Sequence, residues 1–195
     1  MRPRALFVLL IGMALWTTPM AVAQTLLANG GFETGDFTGW TTGGNFEFAQ
    51  VVSGPFYVYT GAQEGNFYAT LGPVGSDGTI SQSFADTAGQ GYVLSFWLAA
   101  VGDDPSDFSA QIDSVNVYSQ NDPNTGGVWT NFTFSFTGTG HDTIAFAFRD
   151  DPAYIALDNV SVFSICCEVP EPGSFPLMGT GALAMAGVLR RKLRR

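Results

Sequence analysis

From Gln24 to Ser164 the chain never sustains a helical period; apolar and polar residues alternate in short runs instead. Phe132, Phe134 and Phe136 alternate with Thr133 and Ser135, and Ile144, Phe146 and Phe148 with Ala145 and Ala147. Successive side chains of a strand point to opposite faces, so a period of two buries one face and leaves the other outside. Tyr92, Leu94, Phe96 and Leu98 share one phase, and Val93, Ser95 and Trp97 share the other. Further runs at 24–28, 45–52, 66–71, 79–84, 108–119 and 154–164 read as strands, with 108–119 as two broken near Asp113. Gly75-Ser76-Asp77-Gly78, Asp103-Asp104-Pro105, Asn121-Asp122-Pro123-Asn124 and Asp150-Asp151-Pro152 supply the turns. About eight to ten short strands at this spacing predict an all-β fold: an antiparallel two-sheet sandwich, one domain over 24–165.

The two ends read differently. Arg2 and Arg4 precede an apolar stretch from Ala5 to Trp16, and Ala21-Val22-Ala23 is a small-x-small cleavage site before Gln24. That pattern predicts a signal peptide over 1–23, removed on export. The segment 166–195 holds Val169-Pro170-Glu171-Pro172, an apolar run from Phe175 to Leu189, and Arg190-Arg191-Lys192-Leu193-Arg194-Arg195. As a helix that run measures about 22 Å against a hydrocarbon core of about 30 Å. Snorkelling cations shorten the required span, and a basic end facing the cytoplasm fits the positive-inside rule. A short transmembrane helix with transient inner-membrane insertion is therefore expected.

The extended Pro170-Glu171-Pro172 segment, the apolar helix and the basic cluster led by Arg190 and Arg191 resemble the PEP-CTERM sorting signal of exopolysaccharide-producing Gram-negative bacteria. The resemblance covers the tail alone. It implies processing by a membrane-embedded exosortase and delivery to the cell surface or the extracellular, biofilm matrix.

Setting the ends aside changes the charge balance. Between Gln24 and Glu168 only Arg149 is basic, against sixteen carboxylates. Nucleic-acid binding needs clustered Lys and Arg, so that class is excluded. Such an excess of acid also makes bound cations a natural compensation. The only cysteines, Cys166 and Cys167, are adjacent and lie beyond the last strand-like run, where they cannot staple the domain. Free thiols and an intermolecular link both remain open.

Asn29-Gly30-Gly31-Phe32-Glu33-Thr34-Gly35 with Gly39-Trp40 is similar to the opening of galactose-binding-like jelly rolls, the scaffold of many carbohydrate-binding modules. Ile80–Phe84, Gly91–Leu98, Trp129-Thr130 and Leu157–Val162 match the middle and close of that pattern, in order. The resemblance implies a structural Ca²⁺ between the opening loop and the last strand, with Glu33 and Asp158 as side-chain ligands. Asn29 or backbone carbonyls would complete the oxygen shell. In a regular strand Asp158 shares the phase of Val160 and Val162 and points to the core. A bare buried carboxylate is costly, so Asp158 needs a metal, a bulge that turns it outward, or backbone N–H donors from the opening loop.

Trp97 lies opposite in phase to its apolar neighbours, so one of the two phases leaves the core. With Trp97 outward, its ring offers a platform for a sugar face, supported by Tyr57, Tyr59 or Tyr68. Trp40 and Trp129 read as packing residues. The single histidine, His141, has no nucleophile motif beside it, and no hydrolase or phosphate-loop signature occurs. The expected role is non-catalytic: binding or organising a neutral polysaccharide outside the cell. A structural or adhesive surface protein is the alternative, and a glycoside hydrolase the third reading.

Overall fold

Ten strands form, in chain order, β1 (Thr41–Gly44), β2 (Ala49–Ser53), β3 (Phe67–Leu71), β4 (Gly78–Ala85), β5 (Gly91–Ala99), β6 (Ser106–Ile112), β7 (Val115–Asn121), β8 (Thr130–Thr137), β9 (His141–Asp150) and β10 (Ile155–Ser164). They build two antiparallel five-stranded sheets, ordered β1-β4-β9-β6-β7 and β2-β3-β10-β5-β8. The computed structural model describes residues 24–102 and 105–165. The expected signal peptide, Asp103 and Asp104, and the whole tail with both cysteines, Pro170, Glu171, Pro172, Arg190 and Arg191, lie outside the described residues. Among the described residues there is no helix, and none long and apolar enough to cross a membrane.

The alternation seen in the sequence sets which face is buried. Ile80, Phe108, Ile144, Phe146 and Phe148 of the first sheet meet Leu71, Leu94, Phe96, Leu98, Ile155 and Leu157 of the second. Phe96 is the hub: the rings of Phe108, Tyr118, Phe132, Phe134 and Phe146 lie 5.2–6.1 Å from it. Such pairs add to the burial term, which dominates the stability of a core like this one.

Three local departures have physical causes. The 108–119 run breaks where expected, at Asp113 and Ser114, whose φ values of 48° and 67° are both positive, as a two-residue turn of the mirror type requires. The 45–52 run is not one strand. Gly44 (φ 65°) and Phe48 (φ 61°) turn the chain as it leaves the first sheet after β1 and enters the second at β2. The 24–28 run lies beside β10 without forming a ladder. Leu26 N–H donates to the Val162 carbonyl at 2.9 Å, but Val162 N–H donates to the Thr25 hydroxyl at 3.0 Å.

The decisive irregularity is in β10. The register against β5 shifts between Asp158 and Ser161, with Asn159 at φ 48°. Asn tolerates that conformation better than most residues, and the extra residue of the bulge reverses the phase. Leu157 faces the core, Asp158 faces outward opposite Trp97, and Val160 and Val162 return to the core. The expectation that Asp158 points inward with Val160 is therefore corrected.

The opening loop occupies the gap beside the bulge. Val160 N–H donates to the Gly30 carbonyl at 2.8 Å. A Cβ on Gly30 would sit 1.8 Å from the Val160 carbonyl oxygen. Gly30→Ala is expected to destabilise the domain by about 1–3 kcal/mol, read as a lower urea midpoint. An unchanged midpoint would mean that the loop retreats from β10 without penalty.

Candidate functional site

The second sheet carries one charged side chain across its five strands, Asp158, and that carboxylate is fully buried. Residues 54–66, between β2 and β3, fold over part of the sheet's outer face and bury it. Phe56, Tyr59 and Ala62 pack there against Tyr68, Ala99, Ala156 and Trp129. The Tyr68 hydroxyl donates to the Gly54 carbonyl at 3.1 Å, Trp129 Nε1 to the Gly61 carbonyl at 3.1 Å, and the Tyr59 hydroxyl to the Tyr154 carbonyl. Tyr68 is 0% exposed and Tyr59 3%, so neither offers a ring face to a ligand. Their expected place in a sugar site is corrected: they clamp the segment down. Trp129 is a packing residue, as expected.

Trp97 and Tyr57 remain accessible. Trp97 is half-buried in the outward phase of β5, between Asp158 of β10 and Asn131 of β8. Along β5 and β8 its neighbours are neutral: Val93 and Ser95 on β5, and exposed Asn131, Thr133 and Ser135 on β8. The Asn131 amide donates to the Ser95 hydroxyl at 2.9 Å and to the Phe96 carbonyl at 3.2 Å, fixing its orientation. Tyr57 is 53% exposed at the tip of a tight turn in which Phe56 and Tyr59 exchange backbone hydrogen bonds. Its φ of 53° is a conformation that glycine would adopt more easily.

Beneath the bulge lies a cavity of about 270 Å³ lined by Gly31, Glu33, Glu64, Gly65, Asp158 and Asn159. Asp158 Oδ2 accepts from Gln63 N–H (2.8 Å) and Glu64 N–H (3.3 Å), and Oδ1 from Asn159 N–H (2.6 Å). Burial pushes its pKa up to about 6; the three N–H donors oppose that shift, and Glu33 adds to it. Glu33 Oε1 accepts from Asn66 N–H at 2.9 Å and Phe67 N–H at 3.0 Å, and the Phe67 bond is the main cause of a lowered pKa. Gly65, at φ 73°, permits the close approach: a Cβ there would lie 2.3 Å from Glu33 Oε1. Glu64, missed from the sequence, is held by the Asn159 amide at 2.9 Å.

Glu33 and Asp158 thus line one cavity, across 125 residues of sequence. Asn29 does not join them. Its amide donates to the Thr34 hydroxyl and to the Asp36 and Thr38 carbonyls, and its Oδ1 accepts from Thr34 N–H. The side chain is spent on shaping the opening loop, which corrects its expected role as a ligand. The donor set of the cavity is all oxygen, and no cationic side chain lines it. Among the described residues, no three His, Cys, Asp or Glu side chains converge at ligating distance, so a cation here would draw on backbone carbonyls.

A second carboxyl pair joins the turns at one end of the sandwich. Asp142, fully buried, accepts from Thr139 N–H and the Thr139 hydroxyl; Asp86 Oδ1 accepts from Gly140 N–H. Asp86 Oδ2 is buried with no N–H or hydroxyl partner, and the two carboxyls bond each other. Burial and then Asp142 raise the pKa of Asp86, while bonds from Thr139 and Asp86 hold Asp142 low. The opposed directions make Asp86 the member of the pair that takes up a proton first. The direct contact lacks the roughly 5–10 Å gap of glycosidase carboxyls. Asn at position 86 can accept from Gly140 and donate to Asp142, so Asp86→Asn is expected to match or exceed the parent's melting temperature at pH 7. A clear loss would mean that Asp86 stabilises the turns as a carboxylate.

Two five-stranded sheets with Greek-key order, a neutral outer face and an outward tryptophan define a jelly-roll sandwich of the kind found in carbohydrate-binding modules. The chain belongs to the family described as protein of unknown function DUF642, which matches residues 25–162, and residues 168–195 match the PEP-CTERM protein-sorting motif. Among solved structures, TmCBM61 in complex with β-1,4-galactotriose is similar with a TM-score of 0.58 at 20% identity, over 73% of this chain and 99% of that one. The CBM22-1 xylan-binding domain from Paenibacillus barcinonensis Xyn10C gives 0.52 at 16%, over 74% and 97%. A cyclase from Fischerella sp. TAU gives 0.55 at 16%, over 76% and 100%. At such identities the likeness shows the fold. No curated protein matches the chain.

Proposed function

We propose that this exported domain binds neutral polysaccharide at the cell surface or in the extracellular matrix, without catalysis. The observation that carries the reading is the outward Trp97 on a sheet face without exposed charge. A pyranose ring stacks its C–H groups on an aromatic face, and the Asn131 amide with the Ser95, Thr133 and Ser135 hydroxyls matches ring hydroxyls. The galactotriose-bound and xylan-binding neighbours support the same ligand class on this scaffold. An acidic domain repels anionic polymers, so the ligand is a neutral one. Retention of the protein in gels containing neutral plant or bacterial polysaccharides tests the reading; migration unchanged by every polymer would favour a structural or adhesive role.

The sorting motif supports a membrane-tethered precursor, processed by an exosortase after export of the domain. The oxygen lining of the cavity beneath the bulge supports a structural Ca²⁺ held by Glu33 and Asp158 with nearby backbone carbonyls. When bound, the ion would neutralise carboxylates that no cationic side chain faces. Its role would be to tie the opening loop and residues 63–65 to β10.

A further inference from the structure

We propose that β8 pairs antiparallel with β8 of a second copy of this chain, about a twofold axis at Phe134. β8 is an edge strand of eight residues, and among the described residues no strand occupies its outer side. Exposed edges are normally blunted by charge, proline, bulges or shortness. β8 has none of these: it contains no charged residue and no proline, and its register with β5 runs unbroken over eight pairs. The edge strand facing it in the first sheet, β7, sits across a register shift, and β1 and β2 on the far flank are only four and five residues long.

The side chains say what covers this edge. Phe132, Phe134 and Phe136 point inward but stay partly exposed, along the flank where Tyr118 of β7 approaches Phe132 at 4.9 Å. Pairing about Phe134 sets Phe132 opposite Phe136 of the partner subunit, Thr133 opposite Ser135 of the partner subunit, and Asn131 opposite Thr137 of the partner subunit. Every phenylalanine meets a phenylalanine, and exposed Asn131, Thr133, Ser135 and Thr137 meet one another. Such self-complementarity is what an isologous interface requires. On a domain this acidic a copy meets repulsion over most of its surface, and β8 offers an approach free of it.

An antiparallel pair has its twofold axis perpendicular to the sheet, so the two outer faces merge on one side into a ten-stranded surface. If the polysaccharide reading holds, both Trp97 rings then face the same polymer. Three strand spacings across and six residues along place them roughly 25 Å apart. Two weak sites on one chain of sugar gain avidity without new contacts.

Sedimentation equilibrium of the full chain in density-matched detergent tests the pairing, without any glycan. The parent is expected at twice the protomer mass. Thr133→Lys with Ser135→Lys, two exposed positions, sets lysine against lysine across the axis and should halve that mass, with the circular-dichroism melt retained. Thr133→Glu with Ser135→Glu should do the same, and an equimolar mixture of the two variants should return to the doubled mass. A monomeric parent, a lysine variant that stays dimeric, or folded variants that fail to recombine would each overturn the proposal. Mass gained by the parent only in the presence of a different protein would assign the edge to that protein instead.

Discussion

Replacing Trp97 by alanine is expected to weaken retention on a neutral polysaccharide at least about tenfold while leaving the sandwich folded. The second half of that expectation follows from where the ring sits. Trp97 is half-buried on the outer face, so truncation opens no enclosed cavity and costs about 1 kcal/mol, against the 3–5 kcal/mol of a buried core phenylalanine such as Phe96. The Asn131 bonds to Ser95 and to the Phe96 carbonyl do not involve the ring and should survive. Because no exposed charge lies on the strands of this face, retention should change little between low and moderate salt. Affinity electrophoresis and a thermal melt on the same preparation separate binding from folding. A folded Trp97→Ala protein retained like the parent would remove this ring from the site.

The alternation of phenylalanine with threonine and serine was enough to read the fold class, the strand phases and the break at Asp113. It also left Trp97 with two readings, because a strand pattern does not say which phase faces the partner sheet. The structure decides this through Phe96, whose five aromatic neighbours come from both sheets. The bulge was harder to read. Asp158-Asn159 is compatible with a regular strand, and only the need of Asp158 for a partner hinted at a phase reversal. Tyr59 and Tyr68 looked available because a sequence does not show that residues 54–66 fold back over the sheet. The glycines of that segment and its hydroxyl-bearing rings were visible, but their partners, the Gly54, Gly61 and Tyr154 carbonyls, are set by tertiary packing. Glu64 escaped notice for the same reason.

The bulge also links stability to the cavity it creates. Asp158 is held by three backbone N–H groups, yet burial still leaves its folded pKa at about 6, above the ordinary aspartate value of 3.8. A raised folded pKa means that the protonated state is favoured by folding. Below about pH 4 the group is protonated in both states and exacts no penalty. As pH rises through about 6 the folded protein must carry a buried anion, and stability falls by up to roughly 3 kcal/mol. In chelator, the melting temperature of the parent should therefore decline from pH 5 to pH 7.5 relative to that of Asp158→Asn, which has no such proton to lose. Subtracting the variant also cancels Asp86, whose raised pKa acts in the same direction, and Glu33, whose lowered pKa acts in the opposite one. Added Ca²⁺ should reverse the decline at pH 7.5, with a gain near 2.7 kcal/mol at about a hundredfold excess over its Kd. At pH 5 the same addition should do less, because the proton already neutralises Asp158. Parallel parent and variant profiles in chelator would show that Asp158 bears no buried charge. A pH-dependent decline that Ca²⁺ leaves untouched would keep the strained carboxylate and remove the ion.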